Sequence, residues 1–76
     1  MKNILSYLVK QMVDHPEDIN ITETTQNERT ILTLKVNPED MGKIIGKQGR
    51  IIRSLRDLVK LVAAKKNIFV DIILAE

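Results

Sequence analysis

A loop bounded by glycines, Gly46-Lys47-Gln48-Gly49, is the part of this sequence best suited to bind phosphate. Glycine has no Cβ, so the backbone at both ends of the loop can turn sharply and come close to a ligand. A helical pattern begins just after the loop, and the first N–H groups of a helix have no partner within it and attract anions. The side chain of Lys47 adds a positive charge. The loop is therefore a candidate site for a sugar-phosphate backbone.

These glycines also allow a purely structural interpretation, and one other phosphate-binding motif has to be distinguished from this loop. Gly46 could simply end one helix and Gly49 give a flexible entry to the next, because glycine is the usual residue at helix ends. A P-loop is excluded by its spacing, since three residues rather than four separate Gly42 from Gly46, and Gln48 stands where a P-loop needs Ser or Thr for magnesium. The glycines alone leave open a plain helix–turn–helix or a nucleic-acid-binding loop.

The distribution of charge favours a polyanion as the ligand. The chain has a net charge of +2, but residues 1–40 carry −3, residues 41–66 carry +7 and the last ten residues carry −2. A local excess of this size attracts polyanions over several ångströms. Four basic residues follow one another at intervals that would keep them near one side of the loop: Lys43, Lys47, Arg50 and Arg53. For the later ones a solvated helix face is an equally good explanation: Arg56, Lys60, Lys65 and Lys66.

Length and composition limit the class of protein. The 76 residues, of which 43% are hydrophobic and none is cysteine, predict one domain whose core holds the fold without disulfides or thiolate metal sites. No apolar run approaches the roughly 20 residues that cross a bilayer, and no signal-peptide pattern is present, so we expect a cytoplasmic protein.

The titratable and nucleophilic residues do not predict an enzyme. The single histidine, His15, precedes Pro16 and is best explained as a helix C-terminal residue, and neither serine has a recognisable base partner. The adjacent acids Glu17-Asp18 and Glu39-Asp40 are better explained by solvation and the helix dipole than by acid–base catalysis or metal binding. We therefore expect no catalytic residues, no cofactor and no metal.

The first half of the chain predicts a helix followed by a β-hairpin. Apolar residues recur at helical spacing over residues 4–13, and His15-Pro16 ends the helix. A threonine-rich strand follows over about residues 19–25, residues 26–28 indicate a turn, and alternation over residues 31–36 predicts a second strand.

The second half predicts two helices around the loop and a last strand. Asn37-Pro38-Glu39-Asp40 is a strong helix start, with Asn at the N-cap, Pro at N1 and acids in the positive first turn, and this helix runs to Ile45. The next helix reaches about Ala64, and residues 68–74 form the strand. The order α-β-β-α-α-β predicts an α+β fold in which three amphipathic helices pack on one face of a three-stranded sheet.

An Ile-Ile-Gly-x-x-Gly stretch followed by Arg-Ile-Ile, placed between two helices in this order of elements, resembles the signature of KH domains. The helix and strand of residues 1–25, which precede the βααβ core, are similar to the type II arrangement, so the resemblance covers residues 1–76 as a single KH domain. It is similar to the small single-KH bacterial RNA-binding proteins of the KhpA type. That resemblance implies binding of about four single-stranded nucleotides through the GXXG loop, in post-transcriptional regulation or as an RNA chaperone.

The resemblance also implies which residues contact RNA. They lie in the loop and beside it: Lys43, Ile44, Gly46, Lys47, Gln48, Gly49, Arg50 and Arg53. Bases would enter an aliphatic groove, with Met41, Ile44 and Ile45 on one wall and the last strand near Ile68 and Val70 on the other. The isoleucines could instead pack in the hydrophobic core, and we expect Ile45 and Ile52 to be core residues. Low sequence specificity follows, because phosphate contacts position a strand without specifying its sequence. Aromatic stacking platforms are not expected, since Tyr7 and Phe69 are the only residues of the Phe, Tyr and Trp type.

Weak binding points to a second copy or a partner. One small site is expected to bind in the range of about 10⁻⁴ to 10⁻⁶ M, and joining two sites can raise affinity about 10²- to 10⁴-fold. The proteins that this chain resembles self-associate and pair with a larger KH-containing protein, which implies a homodimer or such a heterodimer. Candidate contact residues, equally well explained as ordinary exposed hydrophobics, are Ile31, Leu61, Phe69 and Ile73. The alternative function is a protein-interaction adaptor with a KH-like shape and no RNA ligand, against which the intact glycines argue.

Overall fold

Three α-helices and a three-stranded sheet make up the fold in a computed structural model that describes residues 1–75. In chain order the elements are α1 (Lys2–Lys10), β1 (Asn20–Gln26), β2 (Arg29–Lys35), α2 (Met41–Ile45), α3 (Arg50–Lys65) and β3 (Phe69–Leu74). Short 3₁₀ turns at Pro16–Asp18, Pro38–Asp40 and Lys47–Gly49 precede β1, α2 and α3. The predicted order and the α+β class are confirmed. No helix within residues 1–75 is both long and apolar enough to span a bilayer.

The sheet is mixed, with β2 in its centre. β2 pairs antiparallel with β1 and parallel with β3, so β3 is an edge strand. Asn27 and Glu28 both have positive φ values, of 51° and 67°, and Gln26 is paired with Arg29, so the hairpin loop has the two residues of a type I′ turn. The turn predicted at residues 26–28 therefore consists of Asn27 and Glu28 only, and Gln26 belongs to β1. Parallel pairing of β2 with β3 requires a crossover, which α2 and α3 supply.

The hydrophobic core lies between one face of the sheet and the helices. Alternate residues of β2 and β3 point into it, as Leu32 and Leu34 do on β2, whereas the residues between them face the other side. Buried apolar side chains from every α-helix and strand form one cluster: Leu5, Val9, Ile21, Leu32, Leu34, Val36, Ile44, Ile52, Leu55, Val59, Ala63, Val70 and Ile72. The prediction that the three helices pack on one face is confirmed.

α1 is shorter than the periodicity predicted. It ends at Lys10, and a turn follows at Gln11 and Met12, after which Val13 is irregular; the side chains of Met12 and Val13 still pack against the core. The apolar spacing continues beyond the helix because Met12 and Val13 are apolar for burial against the core, not for a helical conformation. His15 lies beyond the end of α1, so its interpretation as a helix C-terminal residue was wrong.

Candidate nucleic-acid interface

The GXXG loop is a tight connection with three positive φ angles in four residues. The N–H of Gly46 donates to the carbonyl of Gly42 at 2.9 Å and ends α2, and the N–H of Gly49 donates to the carbonyl of Gly46 at 3.2 Å. Gly46 has φ 74° and ψ 176°, a combination that is essentially restricted to glycine. Gln48 and Gly49 follow with φ of 59° and 73° in the left-handed region. The loop therefore needs at least one of its glycines for conformation alone.

The two loop glycines differ in the space around them, which predicts different costs of substitution. A Cβ on Gly46 would lie 2.5 to 2.8 Å from side-chain atoms of Ile51, whereas a Cβ on Gly49 would meet nothing within 4 Å. We expect Gly49→Ala to cost about 1 kcal/mol of unfolding free energy through its positive φ, and Gly46→Ala roughly 1–3 kcal/mol more through the clash. Urea unfolding measures both. The control is Gly42→Ala inside α2, where φ is not positive and space is free, and which should be neutral or stabilising. Equal costs for the two loop variants would contradict this account.

The positive side chains beside the loop face solvent. Lys47, Arg50 and Arg53 are exposed, and none of them takes part in an ion pair formed within residues 1–75. The guanidinium of Arg50 donates to the Gln48 side-chain oxygen at 3.1 Å, which orients both groups over the loop. The N–H groups of Gly49 and Arg50 already donate to the carbonyls of Gly46 and Lys47 in the 3₁₀ turn. The loop leads directly into α3, whose 16 residues place the positive end of a full helix dipole there. This arrangement presents unneutralised cations at the positive end of a helix dipole.

The side chain of Lys43, unlike those of Lys47, Arg50 and Arg53, is ion-paired. Its ammonium bonds the carboxylate of Asp14 and lies 3.9 Å from Oδ1 of Asp40. The hydrogen bond to Asp14 raises the pKa of Lys43 above its usual value, against the opposing effect of burial. The structure thus gives Lys43 a bracing role between the α1–β1 connection and α2, and its contact with RNA stays a prediction.

The groove isoleucines are placed differently from the prediction. Ile44 is fully buried in the core and Ile45 is 36% exposed, so the assignment of Ile44 to the groove and of Ile45 to the core was wrong, while Ile52 is buried as expected. α2 has only five residues, and its rotational phase, which the sequence does not fix, decides which of two adjacent isoleucines faces inward. Val70 is also buried, so its side chain cannot form the opposite wall.

Two different surfaces flank the core stripe of α3. On the basic side, Arg53, Arg56 and Lys60 follow at helical spacing, and the Nε–H of Arg56 donates to the carbonyl of Ile72 at 3.3 Å across the edge of β3. The sequence had assigned Arg56 equally well to a solvated helix face, but its side chain covers the strand edge. The free edge of β3 therefore lies beside a row of cations.

The apolar side of α3 consists of Ile51, Leu58 and Leu61. These side chains are exposed, and Ile51 and Leu58 line a shallow pocket of about 270 Å³ with Arg50, Ser54 and Leu55. The exposure of Leu61 agrees with its prediction as a contact candidate. Phe69 and Ile73, on the open face of the sheet, are exposed as well, whereas Ile31 is partly buried.

A buried carboxylate fixes the start of α2. Asp40 is 1% exposed, and its two oxygens accept the backbone N–H groups of Asp14 at 3.1 Å and His15 at 3.0 Å. Burial raises the pKa of Asp40, but these two hydrogen bonds and the charges of His15 and Lys43 outweigh it, so the pKa lies below its usual value. The interpretation of Asp40 as a solvated helix-start acid was wrong. Its partners Asp14 and His15 precede it by 26 and 25 positions, and a contact over that separation cannot be recognised from the sequence.

His15 belongs to the same cluster. Its Nε2 lies 3.1 Å from a carboxylate oxygen of Glu39 and its Nδ1 lies 3.6 Å from one of Glu17. The hydrogen bond to Glu39 raises the pKa of His15, and burial opposes it. A raised pKa means that the ion pair contributes stability fully below the unfolded value of about 6.5 and loses it as the pH rises through the folded value.

Comparison with known proteins gives one family. The sequence profile described as "KhpA/KhpB, KH domain" matches residues 2–74, which include the GXXG loop. The "RNA-binding protein KhpA" of Clostridium perfringens is 51% identical over 67 residues, which are 88% of this chain and 89% of that protein. Those of Caldanaerobacter subterraneus and Chlamydia caviae are 44% identical over 75 residues and 41% identical over 76, covering 96% and 100% of this chain and 100% and 97% of the relatives.

Proposed function

The chain belongs to the KhpA/KhpB family of KH domains, and on this premise we propose that it binds single-stranded RNA with low sequence specificity through residues 46–49. The family is one of RNA-binding proteins and not of enzymes. We propose that residues 1–76 act as a single KH domain in the cytoplasm, in post-transcriptional regulation or as an RNA chaperone.

The geometry of the loop carries the proposal. The positive end of the α3 dipole and the free charges of Lys47, Arg50 and Arg53 converge where the glycines let a ligand approach the main chain. These are donors for phosphate oxygens, which every nucleotide offers, so they hold a strand without reading it. Low specificity follows from the type of contact.

We propose that the strand runs from the loop between the basic side of α3 and the free edge of β3. Arg53 and Lys60 supply positive charge along this path, and an edge strand offers backbone donors and acceptors to the exposed edges of unpaired bases. Ile45 supplies an aliphatic surface next to Gly46, and Gly42 leaves open space one turn earlier. The bases would thus meet backbone and aliphatic groups rather than a stacking platform.

Single-stranded RNA should bind at least tenfold more tightly than the same sequence closed into a hairpin stem. Stacked, paired bases cannot present their edges to a strand edge, whereas a patch that recognised charge alone would favour the denser charge of a duplex. Fluorescence anisotropy with a labelled 10-mer, unlabelled competitors of both kinds and two salt concentrations measures the difference. Equal competition by the two forms would refute the groove and leave only a generic basic patch.

The apolar side of α3 supports a second element of the proposal. Ile51, Leu58 and Leu61 are exposed on α3, and Arg50 lines the same pocket as Ile51 and Leu58. We propose that they pair this domain with a second copy or with a larger KH-containing protein, which would raise a weak affinity by bringing two sites onto one strand. The same surface favours, as the second candidate function, a protein-interaction adaptor without an RNA ligand. That candidate predicts no binding to any of the RNA probes.

A further inference from the structure

A second concave site lies at the end of α3 that is far from the GXXG loop. It has a volume of about 570 Å³ and is lined by Arg29, Lys60, Ala64, Asn67 and Phe69, among others. Asn67 has φ 58°, and this left-handed residue turns the chain tightly from α3 into β3. Lys60 belongs to both the cavity and the basic side of α3. The proposed path of the RNA strand therefore continues into this cavity.

The lining combines a stacking surface with positive charge. Phe69 is 66% exposed, and the guanidinium carbon of Arg29 lies 5.8 Å from the centre of its ring. Asp71 holds the same guanidinium at 2.9 Å, so Arg29 is oriented while its charge is balanced. Aromatic rings and arginine planes are the surfaces on which unpaired bases stack. Lys60 remains as the cation for a phosphate, since it takes part in no ion pair formed within residues 1–75.

Distance separates this cavity from the loop. Arg50 and Lys60 are ten residues apart on one helix, which corresponds to about 15 Å at the helical rise per residue. A GXXG loop clamps about four nucleotides, so a nucleotide in the cavity would lie beyond those four. The sequence argued against an aromatic platform for several bases, but a single ring is enough for one.

We propose that this cavity is a second nucleotide subsite, in which one base of the same RNA strand stacks on Phe69 while Lys60 pairs with a phosphate. The inference rests on the proposed function and adds to it a dependence on the length of the RNA. A protein strand added to the edge of β3 is the less favoured occupant, because the side chain of Arg56 already bonds the carbonyl of Ile72 on that edge.

The test compares Phe69→Ala with Ile73→Ala on RNA of two lengths. Both residues are exposed, apolar and on the same face of β3, but Ile73 is not part of the cavity. We expect Phe69→Ala to weaken binding of a 10-mer about tenfold and to leave binding of a 4-mer unchanged. We expect Ile73→Ala to change the binding of neither RNA. The parent protein should bind the 10-mer more tightly than the 4-mer. If Phe69→Ala binds the 10-mer like Ile73→Ala, or loses the 4-mer equally, the subsite is refuted.

A fluorescent reporter distinguishes this failure from failure of the proposed function. The chain has no tryptophan, so Phe69→Trp and Ile73→Trp each introduce a single one, and stacking of a base quenches its emission. The 10-mer should strongly quench the tryptophan emission of Phe69→Trp and only weakly that of Ile73→Trp. The 4-mer should quench the emission of both variants only weakly. Binding of both RNAs by anisotropy without quenching of Phe69→Trp would overturn the subsite and keep the GXXG site. Absence of RNA binding by the parent protein would overturn both.

Discussion

Exchange of both central loop residues, in a Lys47→Asp/Gln48→Asp variant, is expected to lower the affinity for single-stranded RNA by roughly a hundredfold or more. The change puts two negative charges where phosphate oxygens would approach the positive end of α3, and it removes the cation of Lys47. Both glycines and every core residue remain. Lys47 and Gln48 are exposed, and aspartate tolerates the left-handed conformation of Gln48. Stability should therefore change by no more than about 0.5 kcal/mol per site.

The chain contains its own matched control for this experiment. Lys10-Gln11 repeats the dipeptide Lys47-Gln48, and both of its residues are exposed at the end of α1. The variant Lys10→Asp/Gln11→Asp makes the same two chemical changes and lowers the net charge by the same amount. It should weaken RNA binding only slightly, through the general field of the protein. If the two variants lost affinity equally, net charge rather than the loop would account for binding. If only the control lost it, the RNA site would lie at the end of α1 instead of at the loop.

The position of the loop could be predicted from sequence because its signals are local. A pair of glycines, a capped helix start and an apolar stripe each act over a few residues, and the structure places Gly46 and Gly49 between α2 and α3 as expected. The hairpin and the packing of three helices on one face followed from periodicity in the same way. Such features are fixed by conformational preferences that hardly depend on the rest of the chain.

The errors concern residues whose state depends on tertiary contacts. Ile44 and Ile45 are chemically identical neighbours, and only the way in which α2 docks on the core buries the first and exposes the second. The basic residues were likewise indistinguishable by type: Lys43 is held by Asp14, Arg56 covers a strand edge and Arg53 stays free. Long-range partners of this kind leave no periodic trace in one sequence, so charge alone does not show which basic residues are held by other parts of the fold.

Asp40 is the clearest example, because no local pattern indicates that this acid is the one buried charged side chain of residues 1–75. Its neighbours suggested an ordinary helix start, and that part was correct, since Asn37 accepts the N–H of Glu39 at 2.8 Å. The carboxylate of Asp40, however, turns inward and joins the start of α2 to the connection between α1 and β1. The residue thus determines where α2, and with it the loop, is anchored.

We therefore expect Asp40→Asn to lower the melting temperature at pH 7 by roughly 10 °C or more. Asparagine has the same shape but one acceptor oxygen, so its amide would point a donor at the N–H of either Asp14 or His15 and leave that buried donor unpaired. Differential scanning calorimetry of the two proteins measures the effect. The matched control is Glu39→Gln, the adjacent exposed acid, which loses only its contact with His15 and should shift the melting temperature by a few degrees at most.

The pH dependence of these two variants tests the electrostatic part of the account, and its sign differs between them. The pKa of Asp40 lies below its ordinary value of 3.8, so its contribution is present above that pH and is lost as the pH falls through the folded value. The gap between parent and Asp40→Asn should therefore persist from pH 8 to pH 5 and close only in strong acid. The pKa of His15 lies above 6.5, so the smaller gap for Glu39→Gln should appear at pH 5.5 and vanish at high pH. An Asp40→Asn protein that melts with the parent at pH 7 would show that the buried carboxylate does not hold α2 in place.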